Sequence, residues 1–419
     1  MAKEFIAFLG TGNYGTCKYG YDNSVIETSY IQEALIKMFC CDFTKEDSIK
    51  IFITDYANKE NWLNCDKKQA DGTMKENIGL QQRLAKLNLQ AKIESISIPE
   101  GKSEVELWKI FQIVMDNIQP SDSILFDVTH GFRTLPLFGI AILYYAYYLK
   151  QIQISGIYYG AYEARDENNK APIFNLTSVF NLMRWTSAAD AFMHYGSSKV
   201  LSELVKETAR ENAGSKQAAT SISEITNIMA TVRGKDIIEA DCFINCNNKI
   251  NDLKKSGTYQ APFEPLFEQI LNVTNQFKQD DPYNFITATQ WYLDNNMIPQ
   301  GFTMLQEGIL TYILCRVGLD YTNFQLRDIT RGQLFEKSKK QPTNISLDLQ
   351  KKYSKEISKI ALDPILADVS HLFDNIRFTR NNINHGGFME NQLDAPTLKN
   401  QLKLYLSQTK EFCAKYPIS

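Results

Sequence analysis

The chain has 419 residues, with 45 Lys and Arg against 48 Asp and Glu, and a formal net charge of −3. Hydrophobic residues make up 44% and charged residues 22%, enough to build the cores of two or three domains and too much apolar content for a disordered chain. The same balance excludes a protein that coats nucleic acid through bulk charge.

Eight cysteines are scattered at Cys17, Cys40, Cys41, Cys65, Cys242, Cys246, Cys315 and Cys413. They form no CxxC pair and no Cys/His ligand spacing, so neither a metal site nor a disulfide framework is expected. The start, Met1-Ala2-Lys3-Glu4, runs directly into a strand-like segment without a signal peptide. The longest uncharged apolar stretch, 135–149, is about 15 residues, short of the roughly 20 that a bilayer requires. The expectation is a cytoplasmic protein with reduced thiols and no membrane partner.

In chain order, the first 165 residues alternate two patterns. Short apolar runs at 5–9, 49–54, 91–98, 123–128 and 154–160 predict strands, and amphipathic stretches at 31–39, 76–87, 105–118 and 134–149 predict helices. Apolar strands alternating with helices point to a mostly parallel sheet buried on both faces. The polar stretch 163–172 reads as a loop near a domain boundary. From about residue 177 helical periodicity takes over, at 178–194, 200–213, 264–277, 302–317, 364–378 and 398–413, with breaks at Asp281-Pro282 and Gln341-Pro342. The predicted fold class is α/β plus all-α: an N-terminal Rossmann-like domain over 1–170, then eight to ten helices over 171–419.

Gly10-Thr11-Gly12-Asn13-Tyr14-Gly15 follows the first strand and formally matches the dinucleotide-binding GxGxxG pattern. The context of that motif is missing, because the next residues are polar and turn-rich rather than helical. Two readings of the loop remain open. It is either a tight turn that needs glycine, or a ligand loop in which Gly12 admits phosphate, Thr11 and Asn13 bond a ribose or base, and Tyr14 stacks.

The run Asp127-Val128-Thr129-His130-Gly131-Phe132-Arg133 carries a strand into a turn and then a helix. Its polar groups collect at the strand's C-terminal end, where open α/β sheets bind ligands. The Gly131 amide and the helix start supply anion-binding dipoles. His130 and Arg133 suit phosphate oxygens, and Thr129 suits a 2′-hydroxyl.

A strand ending Asp-x-Thr-His-Gly, paired with an N-terminal Leu-Gly-Thr-Gly-Asn-Tyr, resembles the CRISPR-associated DxTHG-motif proteins of type III systems. Those carry a CARF domain, a Rossmann-like sensor of cyclic oligoadenylates. The resemblance covers about 1–165. It implies a homodimer whose paired sheets bind one symmetric ligand, with cyclic tetraadenylate the favoured ring and cyclic hexaadenylate behind it. Residue by residue, it places Thr11, Gly12, Asn13, Tyr14, Thr129, His130, Gly131 and Arg133 at that ligand.

Near the end stands Arg377-Phe378-Thr379-Arg380-Asn381-Asn382-Ile383-Asn384-His385-Gly386-Gly387, after an i, i+3/i+4 apolar stripe. A helix continuing through it sets Arg377, Arg380, Asn381 and Asn384 on one face, and the glycine pair stops it beside His385. These residue types suit metal-free RNA cleavage. A histidine moves the proton, a guanidinium stabilises the phosphorane, and an asparagine orients without adding charge.

Arg380-Asn381-x3-His385 resembles the Arg-x4–6-His motif of HEPN ribonucleases, which are commonly fused behind CARF sensors. That resemblance implies Arg380, Asn381 and His385 as catalytic residues in a composite dimer site, with Arg377 and Asn384 at the RNA. No metal or catalytic cofactor is implied, and helices inserted within 215–350 are expected. The resulting expectation is a cyclic-oligoadenylate-activated, metal-independent single-strand endoribonuclease, a homodimer or an oligomer of dimers. The alternatives are a non-catalytic regulator, a sensor that degrades its own ligand and, last, a dehydrogenase.

Overall fold

The computed structural model describes residues 2–68, 74–130, 134–197, 199–208, 213–257, 264–339, 345–388 and 392–418. The chain divides into two compact units, Met1–Asn181 and Leu182–Ser419.

Among its described residues the first unit holds ten strands: β1 (Lys3–Leu9), β2 (Cys17–Tyr21), β3 (Ser24–Thr28), β4 (Ser48–Ile53), β5 (Cys65–Lys68), β6 (Met74–Asn77), β7 (Lys92–Ser97), β8 (Ser123–Asp127), β9 (Gln153–Gly160) and β10 (Lys170–Asn175). Its helices are α1 (Ile31–Phe39), the single turn α2 (Asp55–Ala57), α3 (Leu80–Ala85), α4 (Glu104–Asp116) and α5 (Thr134–Lys150). Eight strands form one sheet in the order β3-β2-β10-β9-β8-β1-β4-β7. The five from β9 to β7 run parallel.

The apolar runs form these strands because both faces are covered. Phe5, Ala7 and Leu9 of β1 pack with α1 and α3 on one side. Ile6 and Phe8 pack with α4 and α5 on the other. Successive side chains of a strand point to opposite faces, so a central strand needs apolar residues at every position. At the edge, β7 has only exposed and half-buried positions.

Three segments differ from the sequence expectation. The polar stretch after the glycine loop forms the antiparallel hairpin β2–β3, with Cys17 and Tyr19 buried. The end of the expected 163–172 loop is the start of β10, which pairs antiparallel with β9 and parallel with β2. The helix expected over 76–87 is shorter, because Met74–Asn77 pairs with Cys65–Lys68 as a small separate hairpin.

Helix α6 (Thr177–Tyr195) carries the chain across the unit boundary. Then follow α7 (Lys199–Thr208), α8 (Ala213–Ala230), α9 (Gly234–Glu239), α10 (Asp241–Ser256), α11 (Glu264–Thr274), α12 (Asn284–Asp294), α13 (Ile298–Arg316), α14 (Phe324–Lys339), α15 (Leu347–Lys352), α16 (Ser354–Leu362), α17 (Ile365–Asn384) and α18 (Ala395–Lys415). These are more helices than the eight to ten expected. The Asp281-Pro282 break separates α11 from α12, whereas Pro342 lies outside the described residues.

The helices pack in two groups. α8 contacts α7 and α10, and α10 contacts α11. α17 contacts α13, α14 and α18, and α12 contacts α13 and α18. Short α9 touches both groups, and one hydrophobic core runs through them.

Candidate functional site

The parallel strands are laid down as β1, β4 and β7 to one side, then β8 and β9 to the other. The strand order therefore reverses between β1 and β8, and the two strands are neighbours in register, with Ala7 opposite Asp127. A crevice opens at the C-terminal ends of strands where such a reversal occurs, and ligands of open α/β sheets sit there. Both sequence motifs of the first unit leave the sheet at this point.

The structure brings them together. The Tyr14 and His130 rings lie against each other at a 30° tilt, with centroids 4.2 Å apart. Tyr14 folds back over its own loop, so that a Cβ on Gly12 would lie 3.0 Å from Tyr14 Cε1. Among the described glycines, neither Gly10, Gly12 nor Gly15 has a positive φ. Gly12 is small because a ring lies on it, not because the backbone turns left-handed. Thr11, Gly12 and Asn13 are exposed, and the loop leads into β2 rather than a helix. Gly131 and Arg133 lie outside the described residues.

Burial governs the electrostatics here. It lowers the His130 imidazole to about 4, so the ring is neutral near pH 7, and its Nε2 is shut away without a hydrogen-bond partner among the described residues. Burial pushes the Asp127 carboxyl up to about 6, against the pull of hydrogen bonds from the Thr129 hydroxyl and amide and from Gln32. The Thr129 amide donates to Asp127 Oδ1 at 2.9 Å, and Gln32 Nε2 donates to Oδ2 at 2.9 Å. Thr129 Oγ1 also accepts the Gly160 amide at 2.8 Å. Asp127 and Thr129 thus brace the segment that follows β8 and tie it to the end of β9, and His130 and Tyr14 line the crevice.

Sequence reasoning missed Asn61. Its buried Nδ2 donates to the Gly10 carbonyl at 2.8 Å and the Gly12 carbonyl at 3.0 Å, and so fixes the glycine loop from below. Tyr30 hydrogen-bonds Asn77 and packs edge-on against Tyr14 at 5.8 Å. Nothing in the local sequence distinguishes this asparagine from any other.

In the second unit, α17 continues unbroken through the Arg-x4-His motif. His385 is its C-cap, exposed, with its amide bonded to the Asn381 carbonyl at 3.0 Å. Gly386 and Gly387 follow at φ +62° and +79°, the left-handed conformation that ends helices and that glycine adopts without Cβ strain. Asn381 is half-buried and Asn384 exposed.

The two arginines differ in their partners. Arg377 Nη2 lies 2.8 Å from Asp374, which also pairs with Lys339 at 2.7 Å, and the Arg377 guanidinium sits over the Phe335 ring. Its charge is matched locally, and the two cations hold the Asp374 carboxyl below its usual range against the effect of burial. Arg380 instead donates from Nη1 to the neutral amide oxygen of Gln306 on α13, at 3.0 Å. Its Nε is buried with no hydrogen-bond partner among the described residues. Arg380 and Asn381 thus lie in the last turns of α17 and His385 at its cap, while Arg377 is ion-paired on the helix surface. Among the described residues, no group of three or more His, Cys, Asp or Glu is placed to hold a metal ion, and no helix is long and apolar enough to cross a membrane.

Known proteins match this division. The family model for the CARF domain of the CRISPR system endoribonuclease Csx1 matches residues 5–163, which take in the crevice and both of its motifs. The first unit is a CARF domain. The family model for the second domain of the CRISPR-associated protein MJ1674 matches residues 181–283, from within α6 to the residue before α12. MJ1674 of Methanocaldococcus jannaschii is 23% identical to this chain, over 84% of this chain and 59% of that protein. The chain thus spans 59% of the length of that relative. A solved structure, Enterococcus italicus Csm6 bound to cyclic hexa-2′-fluoro-hexa-dAMP, aligns over 100% of this chain and 95% of its own with 10% identity and a TM-score of 0.43.

Proposed function

We propose that this CARF protein is a metal-independent single-strand endoribonuclease of type III CRISPR defence, switched on by a cyclic oligoadenylate bound at the β1/β8 crevice. One observation carries the nuclease half. Arg380 is a partly buried cation held by a neutral amide, on the same helix end as an exposed, capped histidine. A guanidinium whose charge is not cancelled stabilises phosphorane oxygens, and a histidine moves the protons. The ribose 2′-hydroxyl loses its proton and attacks the adjacent phosphorus. The bond to the 5′-oxygen breaks, and that oxygen takes up a proton. The products are a 2′,3′-cyclic phosphate and a 5′-hydroxyl. In this reading His385 carries one of the two protons, Arg380 holds the phosphorane, and Asn381 and Asn384 orient the RNA.

The sensor half rests on the crevice. The packed Tyr14 and neutral His130 rings give the crevice an aromatic wall for adenine, and the exposed Thr11–Asn13 backbone is available to the phosphates. The active species is a homodimer. The outer face of α4 and α5 exposes Val105, Trp108, Leu137, Tyr145 and Leu149, an apolar surface suited to a second copy of the chain. Activation requires that the ligand bind the cleaving arrangement more tightly than the resting one.

The test is incubation of labelled single-stranded RNA with the protein, EDTA and each synthetic cyclic oligoadenylate in turn. Cleavage with one ring size, abolished in Arg380→Ala and in His385→Ala while both variants stay folded, is the expected result. Full activity in either variant refutes the assignment. Effector binding without cleavage under any condition would leave a non-catalytic regulator instead.

A further inference from the structure

Helices α13 and α17 hold the candidate catalytic arginine between them. Four arginines of the second unit, Arg316, Arg327, Arg331 and Arg377, each pair with a carboxylate at 2.8–3.3 Å. Arg380 departs from that pattern, since its hydrogen-bonded partner is the side chain of Gln306, which is 2% exposed. Only the amide oxygen can face a guanidinium, so the orientation of this glutamine is dictated by its partner. The next residue on α13, Glu307, is turned away and bonds Arg327 and Arg331.

A guanidinium that stabilises a phosphorane must meet two demands. It must be oriented, and its charge must stay available. A carboxylate partner meets the first demand and defeats the second, because it competes with the phosphate for the same donors and cancels the field. A buried neutral amide orients one N–H and leaves the charge intact. We propose that Gln306 is the positioning residue for Arg380, selecting its rotamer without neutralising it. The proposal rests on the nuclease reading above and names a residue of that site which no spacing argument reaches, since 74 positions separate the partners.

The experiment compares Gln306→Glu and Gln306→Met with the wild type in the full-length protein. Single-turnover cleavage is measured at saturating effector. Affinity is measured for an RNA carrying 2′-deoxyribose at the cleaved nucleotide, and the melting temperature is recorded. Gln306→Glu is expected to melt at or above the wild-type temperature yet cleave at least about 100-fold more slowly, the scale of losing one charge-stabilising donor. Affinity for the uncleavable RNA should change far less than the rate. Gln306→Met is expected to lose both rate and melting temperature, because the guanidinium then carries a further unpartnered donor.

A purely structural glutamine would give activity that tracks stability, so a stable Gln306→Glu protein with wild-type cleavage overturns the proposal. Failure of both variants to fold makes Gln306 a packing residue and overturns it as well. Arg380→Ala, assayed in parallel, separates the two levels. If that variant still cleaves, the nuclease reading itself fails. If it is inactive while Gln306→Glu is fully active, only the role of Gln306 fails.

Discussion

Replacing Asp127 by asparagine isolates the cost of placing a carboxylate inside the sensor motif. Asp127 has no exposed surface, and its carboxyl is raised from 3.8 to about 6, chiefly by burial. A tenfold change in proton affinity corresponds to about 1.4 kcal/mol, so a rise of this size amounts to about 3 kcal/mol. The folded chain binds this proton more tightly than the unfolded chain. Its contribution is therefore complete below the unfolded value of 3.8 and is lost as pH rises through about 6. Asparagine removes the titration. Its oxygen stays an acceptor for the Thr129 amide, and its NH2 stands where Oδ2 accepted from Gln32 Nε2, so Gln32 must turn its Oε1 to face it and give up the Nε2 bond to the Phe8 carbonyl, a cost that does not vary with pH. Hydrogen exchange of the 123–130 segment, read by mass spectrometry with both proteins at the same pH, cancels the intrinsic exchange chemistry. The ratio of variant to wild-type protection should rise by roughly 100-fold between about pH 4 and about pH 7, where opening requires unfolding of the sheet. A ratio that stays flat across that window refutes the buried-charge argument.

Two further outcomes separate the groups that hold each site from the groups that merely lie beside it. Asn61→Leu removes the two hydrogen bonds from Asn61 to the Gly10 and Gly12 carbonyls, so cyclic tetraadenylate should bind at least about tenfold more weakly by calorimetry with an unchanged circular dichroism spectrum. Unchanged affinity would mean the loop holds its shape alone. Arg377→Met should cleave RNA within about threefold of wild type, because the Asp374 ion pair already answers that charge at a part-exposed position. A loss as large as that of Arg380→Ala would return Arg377 to the RNA site.

The sequence carried the five parallel strands because their burial on both faces forces continuous apolar runs, and β1, β4 and β8 show nearly that. It carried the reach of α17 and the stop at Gly386-Gly387 through periodicity and glycine chemistry. The three strands at the other end of the sheet obey a different rule. In β2 only Cys17 and Tyr19 turn inward, while Lys18 is exposed, so a short alternating run looks polar on average. Pro172 in β10 argues against an interior strand, yet β10 lies between β2 and β9. Helix α8 escapes a periodicity reading because Ala, Ser and Thr dilute its apolar stripe. At the sites, residue types close in sequence were legible, as with Thr129-His130 and Arg380-His385. The groups that hold them, Gln32, Asn61 and Gln306, come from remote elements and are chemically ordinary. Their importance exists only once the strands and helices are assembled.

Charge counting shows why assembly matters for a candidate nuclease of net charge −3. Residues 351–419 hold 10 basic and 7 acidic side chains, which suggests a basic surface for RNA. The structure distributes those cations unequally. Arg377 is matched by Asp374, and Lys415 by Asp368 at 2.6 Å. Arg380, on the same helix as Arg377 and one turn further on, keeps its charge because α13 presents Gln306 to it. Successive residues of an α-helix point about 100° apart, since about 3.6 residues complete a turn. A rotation of α13 by one residue would offer Glu307 in place of Gln306 and convert the candidate catalytic cation into one more internal ion pair. In the proposed nuclease, the register of α13 against α17, rather than the number of basic residues, therefore decides which arginine is left to meet a phosphate.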